Sequence, residues 1–189
     1  MDIIGLNNKK DLIRNRTVFH DHLTDREEIN WDLMMSLIDS HPKSLWNWNG
    51  EIRWLGLNDF HKRDLSPDIT KNIVAEMEEI FVKNSPKKKQ HEMCPQQISN
   101  IAFVGIGPHS GSFSRHKDMM DVLLYQAIGK VPITIGKNEE PSEKDLQITL
   151  NPGDYVWIPR GWWHKLNPIN SRVTFSFGVE GDFDPATYV

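Results

Sequence analysis

The 189-residue chain has a single cysteine, Cys94, so no intramolecular disulfide can form, and a reducing compartment suits it. Cys94 itself reads as an ordinary thiol. No apolar run approaches the roughly 20 residues that a membrane-spanning helix needs. Met1-Asp2-Ile3-Ile4-Gly5 offers neither the basic start nor the apolar stretch of a secretory signal. The expectation is a cytoplasmic protein with no membrane partner. A net charge of -4 argues against a nucleic-acid partner recruited by bulk charge. Internal repeats and linker-like stretches are absent, so one domain is expected over 1–189.

Aromatic residues are plentiful. Of seven tryptophans, Trp46, Trp48 and Trp54 cluster early, and Trp157, Trp162 and Trp163 cluster late. The first half, 1–97, reads as helices and a hairpin. Leu12-Ile13 and Thr17-Val18-Phe19 suggest a short strand, and His20-Asp21-His22 reads as a solvated loop. Thr24-Asp-Arg-Glu27 has the pattern of a capping box, which starts a helix over Asp25–Asp39. Trp46 to Trp54 alternates around Asn49-Gly50, a hairpin signal. Ser66-Pro67 opens a second helix with Ser66 as cap, and its apolar face runs from Ile69 to Phe81. Lys87-Lys88-Lys89 reads as solvated surface and His109 as a loop histidine.

From residue 98 the texture changes. Eight short apolar segments are punctuated by Gly, Pro, Asn and Asp: 98–106, 113–117, 122–128, 131–135, 146–150, 155–158, 164–167 and 172–179. Such breaks predict a mainly β fold. Its core over 98–180 is an eight-stranded double-stranded β-helix (jelly roll) with the N-terminal helices packed on one sheet.

One stretch carries more chemistry than the rest: Leu150-Asn-Pro-Gly-Asp-Tyr-Val-Trp-Ile-Pro-Arg-Gly-Trp-Trp-His164. Asn151-Pro-Gly-Asp154 is a tight turn, 155–158 a strand, and Gly161 permits a second reversal that delivers His164. Upstream, His116 and Asp118 stand two apart and share a face of a strand. Two imidazoles and one carboxylate form the facial ligand set of non-haem Fe(II) oxygenases.

The pattern Gly153-x5-Pro159-x-Gly161-x2-His164, with His116-x-Asp118, resembles the JmjC-like, cupin-type 2-oxoglutarate oxygenases. The resemblance covers residues 100–179. It implies Fe(II) held by His116, Asp118 and His164, with 2-oxoglutarate and O2 as co-substrates. The product would be a hydroxylated protein side chain or small molecule, with succinate and carbon dioxide released. It also implies a basic residue thirteen positions after Asp118, just past Gly129, to hold the distal carboxylate. That slot holds Val131. Lys130 is one position early and needs a bulge to turn inward. Arg172 and Thr174 resemble the Arg-x-Ser/Thr element of other 2-oxoglutarate oxygenases and share a face, so they are the preferred grip. Tyr125 is a further hydroxyl candidate. Two other readings stand beside this one. Val131 favours a cupin metalloenzyme that does not use 2-oxoglutarate, although Asp121 stands where cupins of that kind carry a glutamate. The aromatics fit a non-enzymatic jelly-roll binder.

Overall fold

The computed structural model describes residues 3–24, 28–51, 53–83, 97–107 and 111–180. Cys94, His109, the lysine run at 87–89 and the 25–27 part of the capping pattern lie outside the described residues. Among these residues, eleven strands form two antiparallel sheets. The strands are β1 (Phe19–His22), β2 (Trp46–Asn49), β3 (Trp54–Asn58), β4 (Gln97–Gly105), β5 (His116–Lys117), β6 (Asp121–Ile128), β7 (Val131–Gly136), β8 (Leu146–Leu150), β9 (Asp154–Ile158), β10 (Trp163–Leu166) and β11 (Arg172–Glu180). The smaller sheet has the order β5-β10-β7-β8, and the larger β1-β9-β6-β11-β4-β3-β2. The eight segments read from the sequence supply four strands to each sheet, the jelly-roll arrangement. β1, β2 and β3, from the first half of the chain, extend the larger sheet at both edges.

Strand periodicity divides the interior into two cores. On one face of the larger sheet, Leu123, Tyr125, Tyr155, Trp157, Phe175 and Phe177 pack against the helical layer. That layer is led by Ile69, Ile73 and Met77 of α3 (Asp68–Met77) and by Phe81 on the wider helical turn that continues it. Phe81 stacks on Trp157 at 5.4 Å and Phe60 on Phe175 at 4.7 Å. On the other face, Val122, Leu124, Val156 and Ile158 meet Val131, Ile133, Ile135, Leu150 and Leu166. The central strands β6 and β9 are therefore covered on both faces and carry nearly unbroken apolar sequence.

Four local expectations are corrected. Leu12 and Ile13 lie in a short helix, α1 (Lys10–Arg14), not a strand. His20-Asp21-His22 is not a loop but most of β1, an edge strand paired with β9, and His22 Nδ1 lies 2.6 Å from Asp154 Oδ1. The helix expected from Asp25 starts later. α2 spans Trp31–Ser40, and Asn30 caps it by accepting the Leu33 N–H at 2.9 Å. α3 starts one residue beyond the expected position, because the Ser66 hydroxyl donates to the Phe60 carbonyl instead of capping, and Pro67 takes the cap position.

One carboxylate ties the N-terminal segment to the helical layer. Glu76, buried on α3, accepts the backbone N–H groups of Ile3 (2.7 Å), Ile4 (2.9 Å) and Leu6 (2.8 Å). Among the described residues these donors have no other acceptor, in a segment too short to pair with itself. Glu76→Ala leaves them unpaired, those of Ile4 and Leu6 buried, and is expected to cost about 3 kcal/mol in urea unfolding. A loss below about 1 kcal/mol would show that the segment is not anchored there.

Candidate metal centre

β5 and β10 pair so that His116 and His164 are direct Cα partners. Asp118 follows two residues after His116, at the mouth between the sheets. The turn that leads into β10 is stitched to this same segment. The Gly161 N–H donates to the Asp118 carbonyl at 3.0 Å, and the Trp162 N–H to the Pro159 carbonyl at 3.2 Å. Gly161 holds φ +83°, which a side chain would strain. Asp121, at the start of β6, accepts the Arg160 N–H at 2.7 Å and Arg16 Nη1 at 3.2 Å. Burial raises the Asp121 pKa, although these donors oppose the shift. The sequence marked Asp121 only as a departure from other cupins. Its signal was an acid opening an otherwise apolar strand.

The three side chains converge. One potential ligand atom from each of His116, Asp118 and His164 lies within 4.8 Å of the others. His164 Nε2 is 3.5 Å from Asp118 Oδ2, and His116 Nε2 is 3.9 Å from Asp118 Oδ1. The opposite ring nitrogens meet backbone carbonyls: His116 Nδ1 with Ser114 O at 2.9 Å, and His164 Nδ1 with Trp162 O at 3.2 Å. A carbonyl only accepts, so each Nδ1 carries the proton and each Nε2 presents a lone pair to the shared centre. Burial lowers the His164 pKa and favours the neutral, ligating form. Two imidazoles and a carboxylate so disposed fit a first-row divalent metal with open positions.

The centre opens into a cavity of about 320 Å³ between the sheets, lined in part by Trp54, Phe103, Phe113, Leu124, Ser176 and Arg172. Arg172 is buried, and burial lowers its pKa to about 10. Its Nη1 donates to Thr174 Oγ1 at 2.8 Å, its Nε is buried without a partner, and no carboxylate pairs with it among the described residues. A desolvated cation without an anion is costly, and here it faces a cavity able to admit one. That is the fit expected of a site for an anionic ligand.

The other candidates for the distal carboxylate fall elsewhere. Thr174 is fully buried but does not line the cavity; it sits behind Arg172. Tyr125 belongs to the opposite face of β6, stacked 6.3 Å from Phe175 in the helix-side core. Lys130 is exposed in the turn between β6 and β7. The irregularity in pairing lies between β6 and β11, at Val173/Thr174, and does not turn Lys130 inward. Val131 is fully buried in the inter-sheet core.

With this geometry in view, comparison with known proteins is decisive at the family level. The model described as JmjC domain matches residues 77–183, more than half of the chain. The chain belongs to the JmjC domain family. A probable ribosomal oxygenase of Haemophilus influenzae is 23% identical over 194 residues, spanning 94% of this chain and 44% of that protein. Among solved structures, YcfD, a ribosomal oxygenase from Escherichia coli, in complex with cobalt and 2-oxoglutarate, aligns with a TM-score of 0.62 at 15% identity. It covers 93% of this chain and 52% of that one. The same protein with cobalt and succinic acid gives a TM-score of 0.63 at 15% identity, covering 93% and 52%. At this identity the likeness shows the shared fold. The chain spans about half the length of these relatives.

In this JmjC domain the strand that carries His116 is held from outside by an ion pair. Arg115 Nη2 lies 2.8 Å from Asp145 Oδ2, with both side chains nearly excluded from solvent, and it also donates to the Asn138 carbonyl at 2.9 Å. Gly136 makes room, since a Cβ there would stand 2.1 Å from Asp145 Oδ1. Asp145→Ala removes the one carboxylate that pairs with this guanidinium among the described residues and is expected to destabilise the fold by roughly 3 kcal/mol. Urea unfolding checks this, and a value within about 0.5 kcal/mol of wild type would mean the pair is effectively solvated.

Proposed function

We propose that this chain is an Fe(II)- and 2-oxoglutarate-dependent hydroxylase. In this reading His116, Asp118 and His164 hold the metal, and Arg172 holds the distal carboxylate of 2-oxoglutarate. The observation that carries the reading is the cavity joining the three converging ligand atoms to a buried guanidinium with no carboxylate partner among the described residues. When bound, metal and co-substrate supply the oxidising chemistry. 2-Oxoglutarate and O2 give succinate and carbon dioxide, and one oxygen atom enters a substrate C–H bond. The protein's part is binding, orientation and exclusion of water. The carbonyls of Ser114 and Trp162 lock both imidazoles in the ligating tautomer, and Arg172 fixes the far end of the co-substrate. Trp54, Phe103 and Phe113, in edge-to-face contact at 5.3 to 6.1 Å, wall the cavity, and Phe113 also touches the His116 ring.

For the substrate we favour a side chain of a ribosomal protein. The support is the name shared by the Haemophilus influenzae and Escherichia coli relatives. The cupin reading without 2-oxoglutarate rested on Val131. It loses ground because Arg172 presents the missing cation from the opposite sheet.

Anaerobic titration with Fe(II) and then 2-oxoglutarate tests the proposal through the visible iron-to-oxoglutarate charge-transfer band. The band is expected in wild type and absent in His116→Ala, Asp118→Ala and His164→Ala. Arg172→Gln is expected to keep metal affinity and to weaken 2-oxoglutarate binding roughly tenfold to a hundredfold, by losing charge-assisted contacts. Iron binding without any band would return the cupin reading to the lead.

A further inference from the structure

Behind Arg172 lies a second buried polar group that the sequence did not single out. Gln126 of β6 is fully buried and is the direct partner of Thr174 across the β6–β11 pairing. Its Nε2 donates to the carbonyl of Ile128 at 2.6 Å and of Gly129 at 3.2 Å. Carbonyls only accept, so the amide is oriented with Oε1 toward Thr174. The Thr174 hydroxyl lies 2.7 Å from that oxygen and must donate to it. It therefore has only a lone pair left, which accepts from Arg172 Nη1. The chain of hydrogen bonds has one direction: guanidinium to hydroxyl to amide to the end of β6.

We propose that Thr174 and Gln126 are positioning residues that set the Arg172 guanidinium for the distal carboxylate, and that Thr174 does not itself contact the co-substrate. Two observations support this. The Thr174 proton is committed to Gln126, and neither Thr174 nor Gln126 lines the cavity that Arg172 reaches. With Nη1 turned back to Thr174, the edge of the guanidinium left without hydrogen bonds is available to a carboxylate. Without the relay the side chain has several rotamers in place of one, and the carboxylate must order it on binding. The relay thus decides how well a dicarboxylate is told from a 2-oxo acid that lacks the second carboxylate.

The inference rests on the co-substrate role given to Arg172, and the test separates the two. Binding of 2-oxoglutarate and of pyruvate to the anaerobic Fe(II)-loaded protein is measured by calorimetry, together with thermal unfolding. Pyruvate keeps the metal-chelating 2-oxo acid and lacks the distal carboxylate. Thr174→Val and Gln126→Leu are expected to weaken 2-oxoglutarate about tenfold with pyruvate unchanged. Thr174→Ser, which keeps the hydroxyl, is expected to restore the wild-type ratio. If Arg172→Gln collapses the ratio and Thr174→Val does not, the relay is overturned while the role of Arg172 stands. If Thr174→Val weakens both ligands alike, or only lowers the unfolding temperature, its role is structural and the proposal fails. A ratio insensitive to Arg172→Gln overturns both.

Discussion

The antiparallel pairing of β5 with β10 is the constraint on which the site depends. β5 is only two residues long, so its ladder contributes little by itself. Its position is fixed by what surrounds it: Arg115 tied to Asp145 on one side, and the Gly161 N–H bound to the Asp118 carbonyl on the other. Asp121 then holds the same turn through Arg160. A slip of one residue between β5 and β10 would turn one histidine outward, because strand side chains alternate. The stitches from Gly161 and Arg160 make that slip expensive, and so they convert a weak two-residue ladder into a fixed pair of imidazoles.

The parts of this arrangement legible in the sequence were those encoded by local chemistry. Proline and glycine at fixed spacing marked the turns around β9, and two-residue spacing put His116 and Asp118 together. The alternation of strands and breaks gave all eight jelly-roll strands within a few residues. What failed had a common origin in tertiary pairing. β1 was hidden because its partner, β9, lies more than 130 residues away and its own residues are polar. Tyr125 was misassigned because β6 is apolar on both faces, so nothing in Val122-Leu-Leu-Tyr125 says which parity faces the ligand. Thr174 shares a face with Arg172, as periodicity requires, yet of that face Arg172, Ser176 and Gly178 line the cavity and Thr174 does not. Shared orientation does not establish shared exposure to a ligand.

The electrostatics of the interior support the same division of roles. The inter-sheet core is built almost wholly of Val, Leu and Ile, with polar groups at both ends: Asp118 just before the start of β6, and Gln126 and Arg172 near its end. The Asp118 carboxylate is partly open to solvent, whereas Arg172 is not. Burying a cation without a counter-ion is tolerable only if its protons are partly satisfied and its charge is compensated when a ligand arrives. The Thr174–Gln126 chain meets the first condition. It adds no negative charge, so the attraction for an incoming carboxylate is kept. A buried glutamate in the place of Gln126 would have satisfied the same protons while neutralising the charge that the proposed co-substrate site uses.

The position of that cation also accounts for Val131. The start of β7 and the start of β11 lie close together, because Gly129 approaches the β11 backbone so tightly that a Cβ would stand 2.4 Å from the Ser171 carbonyl and 3.3 Å from the Arg172 Cα. Two sheets therefore offer two routes into one space: a basic side chain from the slot at 131, or one from Arg172 opposite. Two desolvated cations so close together would repel each other strongly in an apolar surrounding, whereas one meets the demand of a single carboxylate. If Arg172 supplies the charge, as proposed, the slot at 131 is free to take the apolar residue that packing against Leu150 and its neighbours prefers. On the proposed role of Arg172, the departure at Val131 and the buried Arg172 are two sides of one substitution of charge between sheets.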